Sequence, residues 1–584
     1  IDGVPQTLAV TRVNINATVN NTATDGFEFR NMLDEIRVYR GEIDTAQVLA
    51  DMQRTAPCGG LLSGFNCVAN GQPGKDGHLY TRLAGKPFTF EVVALDKNGE
   101  QLKDYVPEGK EKTVVVSLVD GDDNLDCASR AQWVGPGSLK FIQGDQGRKR
   151  VEMTSAKAYR HLKCRVTYTD DLNKAQHACS TDGFAVRPTA FSSVISKTAN
   201  AAGLSTDTPW IKAGQAFSLT AEAHAPNYSG TPIIQQAPPL PAPQTNTRAH
   251  VGAEANGLLT GSFSASDPKN STATGDQFTY SEVGYFSLAA NSVYDDSFTA
   301  IDKATGDCTN DFSNEFNAEQ KVGCKFGNDQ ETPRFGRFVP DHFVLVEKDW
   351  EAACGGFSYM DQAFKKPLAV VLEAQNAAGA RTQNYQGSYA TGKVEEVLNN
   401  QDGKKIETAR LVRTEDKPWE NGRYSLKASH FSRLSSPDGP FDALDIGLTV
   451  NDPNALKTRL QKRNMSAESA ACTEDMSGLS EAPGVCTAVR LVEKTKVRFG
   501  RLHLGNAYGS ERLPLKVPVS AQYWNGNAFI LNKDDYCTAL AAANIALSTT
   551  ELGVPTISPL LSGGRGSINF AGPGRAGSVD LALH

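Results

Sequence analysis

One alternating motif occurs four times in the chain, and it narrows the possible folds more than any other feature. The copies are Ala84–Glu100, Ala213–Ala225, Lys366–Gly379 and Leu513–Gly526. In each copy apolar residues stand at every second position: Phe88, Phe90, Val92 and Ala94; Phe217, Leu219, Ala221 and Ala223; Leu368, Val370, Leu372 and Ala374; Leu515, Val517, Val519 and Ala521. Period-two alternation places one face of a strand on a core and the other toward solvent. Three copies run into a glycine-bearing turn, at Lys97-Asn98-Gly99, Ala377-Ala378-Gly379 and Trp524-Asn525-Gly526. Such turns join antiparallel strands. The copies recur roughly every 130–150 residues, which suits one β-sandwich each and is too long for a solenoid repeat.

The borders of these units also resemble one another. Phe184-Ala-Val-Arg187-Pro188, Phe335-Gly-Arg337-Phe-Val-Pro340 and Arg498-Phe-Gly-Arg-Leu-His503 mark three breaks. A strand that reaches proline cannot continue its ladder, so the first two read as domain exits. The expected division is 58–190, 191–345, 346–497 and 498–584, the last incomplete. Within the second unit, Pro232, Pro238, Pro239, Pro241 and Pro243 make 231–247 an extended insertion between strands. Residues 1–57 differ: Leu33–Tyr39 alternates like a strand, and Asp44–Arg54 reads as a short helix with Asp44 as its N-cap. The fold class expected is all-β, a tandem array of immunoglobulin-like β-sandwiches.

Eleven cysteines are present, none in a Cys-x-x-Cys pair, so zinc ribbons and thioredoxin-type sites are not supported. Three pairs close short polar loops: Cys58/Cys67, Cys308/Cys324 and Cys472/Cys486. These are expected disulfides, with Cys127–Cys179 as a fourth; Cys164, Cys354 and Cys537 stay unassigned. Short-loop staples point to an oxidising compartment. The formal charge of −7 argues against nucleic acid, which needs a concentrated basic face. No apolar run approaches the ~20 residues of a membrane span. No signal peptide opens the sequence; exported proteins lose theirs.

Four stretches carry a family resemblance: Ala178–Pro188, Tyr280–Phe286, Arg334–Phe343 and Arg498–Leu515. They resemble the MshQ-type accessory proteins of the mannose-sensitive haemagglutinin (MSHA) type IV pilus. Leu33–Val48 resembles the closing strand of a concanavalin/laminin-G-like lectin domain, so 1–57 is expected to be the C-terminal fragment of a lectin-like jelly roll. The resemblance implies a Gram-negative cell-surface protein, exported by a signal peptide not present in this chain. It also implies pilus proteins or surface glycans as partners. Related proteins continue past the last residues of this sequence, so both ends are expected to be truncated.

The search for chemistry yields little. Asp120, Asp122, Asn124 and Asp126 have the opening cadence of a calcium loop. Leu125 stands where the loop needs glycine and Ala131 where it needs glutamate, so an acidic turn fits better. No Gly-x-Ser-x-Gly elbow, His-Glu-x-x-His motif or phosphate-cradling glycine loop is present. Asp341 and His342 are adjacent, and neighbours on a strand point to opposite faces. Trp524, at a turn tip, is the aromatic residue best placed to stack on a sugar or anchor a partner. The expectation is a non-enzymatic structural or adhesive pilus component without a cofactor. A carbohydrate-binding surface lectin is the alternative, and a secreted polysaccharide-processing enzyme stands third.

Overall fold

The computed structural model describes residues 44–46 and 61–583, apart from 123, 171–172, 197–201, 235–246, 250–256, 402–405, 468–470 and 550–551. The expected jelly-roll fragment at 1–57 therefore lies outside the described residues, save that Thr45 and Ala46 are helical. Residues 60–584 form one compact unit, and its described part is almost wholly β.

Each motif copy is an inner strand of a sheet, flanked on both sides by antiparallel partners. Pro87–Leu95 lies between Gly64–Val68 and Arg148–Thr154. Phe217–Ala223 lies between Phe191–Ile195 and Thr272–Tyr280. Lys366–Gln375 lies between His342–Glu351 and Arg423–Phe431. Leu515–Trp524 lies between Gly500–Leu504 and Arg565–Phe570. The alternating apolar side chains of the first three copies are all buried. In the fourth, Val519 and Ala521 are buried while Leu515 and Val517 are half-buried.

The turns after these strands share one device. Asp96 Oδ1 accepts from the N–H groups of Asn98 and Glu100, and Asn376 Oδ1 from those of Ala378 and Ala380. Asn525 Oδ1 accepts from Asn527 and Ala528. A short polar side chain thus folds the backbone on itself. Gly99 and Gly379 both adopt φ +80°, which a Cβ would strain. Only the fourth turn closes a true hairpin, with Trp524 opposite Phe529. After the first and third, pairing stops at the single bridges Leu95–Gln101 and Gln375–Arg381.

A second sheet completes each sandwich. In the first it runs Arg82–Leu83, Phe184–Arg187, Tyr159–Thr169, Glu111–Asp120, Gln132–Ile142. In the second and third sandwiches the facing sheets contain Phe335–Val339 and Val489–Arg498, respectively. Three short strands run parallel to the last strand of their own sandwich: Arg82–Leu83 beside Val186–Arg187, Ile211–Lys212 beside Phe338–Val339, and Phe357–Tyr359 beside Lys496–Arg498. The fourth sandwich is smaller; among the described residues its second sheet is the pair Ile545–Leu547 and Leu581–Leu583.

Apolar packing continues across the borders. One apolar cluster runs without a break from Phe65 in the first sandwich to Phe338 in the second. Phe191 and Phe326, 5.1 Å apart, pack at the second sandwich's end of it, and Asn227 Nδ2 donates to Ala158 O across the border at 2.8 Å. Val283 and Tyr285 of the second sandwich likewise join the core of the third.

The disulfides also depart from sequence proximity. Cys67 bonds Cys164, which ties the two sheets of the first sandwich together; the expected Cys58–Cys67 loop is not formed, and Cys58 lies outside the described residues. Cys354 bonds Cys537 across the border of the third and fourth sandwiches. Cys127–Cys179, Cys308–Cys324 and Cys472–Cys486 are the remaining pairs. Five disulfides match an oxidising environment.

Asp475, inside the Cys472–Cys486 loop, forms a buried ion pair with Arg463, which precedes the loop. Burial alone would raise the Asp475 carboxyl, but hydrogen bonds from Arg463, Ser477 and the N–H of Ser480 outweigh it and bring it to about 2. The folded value lies below the unfolded one. The pair therefore stabilises above the ordinary carboxylate range, and its contribution is lost as pH falls toward 2. Amide exchange of 473–480 is expected to accelerate between about pH 4 and pH 2 in the wild type. In an Asp475→Asn variant it should already be fast at pH 6; unchanged exchange would remove this role.

Candidate functional site

Each of the three sandwich borders is closed by a buried arginine from the exit segments. Arg187 has no exposed surface. Its guanidinium donates to Gly323 O at 2.7 Å, Pro188 O at 2.7 Å, Asn314 Oδ1 at 2.9 Å and Ser313 O at 2.9 Å. Three of these acceptors belong to the loop closed by Cys308–Cys324, so the disulfide shapes a socket in the second sandwich for an arginine of the first. Arg337 donates to Asp207 O at 2.8 Å and to Asn454 O, in the third sandwich, at 3.2 Å. Arg498 reaches into the fourth sandwich, pairing with Asp534 at 2.8 Å and donating to Asn532. Its guanidinium also stacks 4.3 Å from the Tyr523 ring. A planar fork with five donors can satisfy several buried carbonyls at once, which an ammonium cannot.

Other contacts support the same borders. Ala377 N–H donates to Ala213 O at 2.9 Å, and buried Glu282 accepts from Gln383 and Asn384 N–H at 3.0 Å. Beside the Cys354–Cys537 bond, fully buried Asp535 accepts from Tyr359 Oη at 2.9 Å and Thr538 Oγ1 at 2.6 Å. Cys354, Asp535 and Cys537 lie close enough to suggest a metal set. Because the two sulfurs are bonded to each other, they offer no thiolates.

A different cluster lies beside the arginine socket of the first border. His78 and Asp182 come from loops of the first sandwich, and Asp307 precedes Cys308 in the second. His78 Nδ1 is 3.0 Å from Asp307 Oδ2 and 3.8 Å from Asp182 Oδ2. Burial, then the charge of Asp307, raises the Asp182 carboxyl. Asp302, on the short helix Ala300–Thr305, is fully buried behind them. Its Oδ2 accepts from Thr81 Oγ1 and Ala185 N–H, while its Oδ1 has no hydrogen-bond partner. Burial is the main reason its carboxyl is pushed up to about 7; Asp307 and Asp182 add to it.

The residues singled out in the sequence are placed elsewhere. Asp120, Asp122 and Asp126 are each committed to a different partner: Asp120 Oδ1 to Asp122 N–H, Asp122 Oδ1 to His161, and Asp126 Oδ1 to Ser129 N–H. Asn124 is exposed, and Asp123 lies outside the described residues. These contacts are those of an acidic turn. Trp524 is half-buried and packs on the core of the third sandwich, 5.4 Å from the Phe529 ring, so it is not a free stacking platform. Asp341 and His342 do meet, at 2.9 Å, because Asp341 sits in a bend before the strand begins at His342. The reading of sequence missed His78, Asp182, Asp302 and Asp307; the arginine repeated in the exit segments was visible, though its role was not.

No curated protein matches the sequence. Solved structures with some likeness include a tetra-tandem repeat from the extending region of a large adhesion protein. It is 8% identical with a TM-score of 0.26, and the match covers 78% of this chain and 80% of that one. A Ca2+-stabilised adhesin of an Antarctic bacterium that binds ice is 11% identical with a TM-score of 0.15, over 88% and 92% of the two chains. At TM-scores this low neither settles a fold or a role. Two family models do match: residues 316–477 correspond to the third domain of DUF6701 and residues 498–583 to its fourth.

Proposed function

We propose that this chain is a non-enzymatic structural and adhesive segment of a type IV pilus system, exported to the surface of a Gram-negative bacterium. The observation that carries the reading is the closure of every sandwich border by a buried arginine. Flexible modules need no such contacts. A stalk that must hold an angle between modules does. The five disulfides suit an oxidising exterior, where a stalk must survive without repair. The resemblance of 178–188, 334–343 and 498–515 to MshQ-type accessory proteins is the reason for naming a pilus. Pilus proteins or surface glycans are the partners this role requires.

Immunogold labelling of sheared pili tests it. Label is expected on pilus tips or along filaments, and is expected to vanish when the gene is deleted. Label confined to free protein or to the cytosol would count against the proposal.

A further inference from the structure

The His78 cluster has more negative charge than its protein partners neutralise. Asp182 and Asp307 converge on one half-exposed imidazole, and buried Asp302 feels the charge of both carboxylates. The Arg82 guanidinium feels the charge of Asp302 but spends its Nη1 on the carbonyls of Thr81 and Gln320. A buried Asp302 oxygen is left with no donor at all. Buried polar atoms are nearly always satisfied, so this orphaned oxygen beside the cluster points to a partner beyond the protein's own groups.

The geometry names the class of partner. One atom each from His78, Asp182 and Asp307 lies within 4.8 Å of the others. Ligand atoms ~2.0 Å from a tetrahedral zinc lie ~3.3 Å apart. The spacings of 3.0 Å and 3.8 Å about His78 Nδ1 bracket that figure. The ligating oxygens are themselves oriented: Asp182 Oδ2 accepts from Leu79 N–H at 2.7 Å, and Asp307 Oδ2 from Thr305 Oγ1. Calcium prefers six to eight oxygens and would gain nothing from the imidazole, whereas zinc takes mixed nitrogen and oxygen donors.

We propose that His78, Asp182 and Asp307 bind a divalent zinc-class ion that clamps the first sandwich to the second, with Asp302 as a supporting carboxylate behind them. His78 is half-exposed, so water can reach the ion as a fourth ligand. The inference is independent of the pilus reading, since it concerns ion binding by the isolated chain.

Equilibrium dialysis of chelator-treated full chain against zinc chloride, with manganese and calcium chlorides in parallel, tests it. One equivalent of zinc is expected, held more tightly than manganese and far more tightly than calcium. His78→Ala and Asp307→Asn are each expected to raise the zinc dissociation constant at least ~10-fold. His78 is half-exposed, so His78→Ala should fold, which near-ultraviolet circular dichroism verifies. Zinc is also expected to slow proteolysis at the first border in the wild type but not in His78→Ala. No zinc bound, equal zinc binding by folded His78→Ala, or a preference for calcium would each overturn the proposal.

Discussion

A chain carrying Cys67→Ala and Cys164→Ala is expected to lose about 4–5 kcal/mol of stability in its first sandwich. The bond closes a loop of 97 residues, and in the chain-entropy model the constraint on the unfolded state grows with loop length. The same model gives only about 3 kcal/mol for Cys308–Cys324, whose separation is 16. Both sulfurs of the longer bridge are also fully buried, so the alanines leave a void between the sheets. Trp133 is a local reporter, because it belongs to this sandwich and stacks 4.7 Å from Tyr159. Its fluorescence in a urea titration should shift to a lower midpoint. Reductant should shift the parent toward the variant and leave the variant unchanged. Coincident midpoints for parent and variant under oxidising conditions would show that the bond does not hold this sandwich.

Arg187→Met is the second large effect, expected to cost about 2–4 kcal/mol at the first border. The substitution strands three carbonyls and one side-chain amide oxygen, each worth about 1–3 kcal/mol when buried without a donor. Part of this is offset because a buried guanidinium is no longer desolvated. Burial already lowers the Arg187 pKa, a sign of that cost. Arg187→Lys should recover little, since one ammonium cannot reproduce the forked set of bonds. Differential scanning calorimetry, together with chymotrypsin digestion after Phe184 and Phe191, would register both changes. If both variants melted like the parent, the arginine would be a passenger at the border.

The contrast between these two sites explains what the sequence disclosed. Alternation at Phe88–Ala94 or Leu368–Ala374 is local, so four central strands could be read directly. The cysteine pairing could not. Cys67 has Cys58 as its nearest neighbour in sequence, but sheet packing brings its Cα within 6.1 Å of that of Cys164. Arg187 reaches partners 126 to 136 residues away, which no local pattern encodes. The same holds for the zinc-class cluster, assembled from positions 78, 182 and 307. Trp524 misled for the opposite reason: its turn was read correctly, but the neighbouring sandwich that covers it was not visible.

The parallel pairing of an early short strand with the closing strand in each of the first three sandwiches has a mechanical consequence. Pulling a sandwich by its two ends drags such a pair in opposite directions along the strand axis. Its hydrogen bonds are then loaded in shear together, instead of being unzipped one at a time. The sulfur bridges set a second limit. A stretched first sandwich cannot pay out the 97 residues between Cys67 and Cys164. At ~3.4 Å per residue that withholds roughly 330 Å of slack. Tension entering at Cys354 can pass straight to Cys537 and bypass the 183-residue span between them. Pulled hard, the chain would stretch in short, fixed increments and not by complete unravelling.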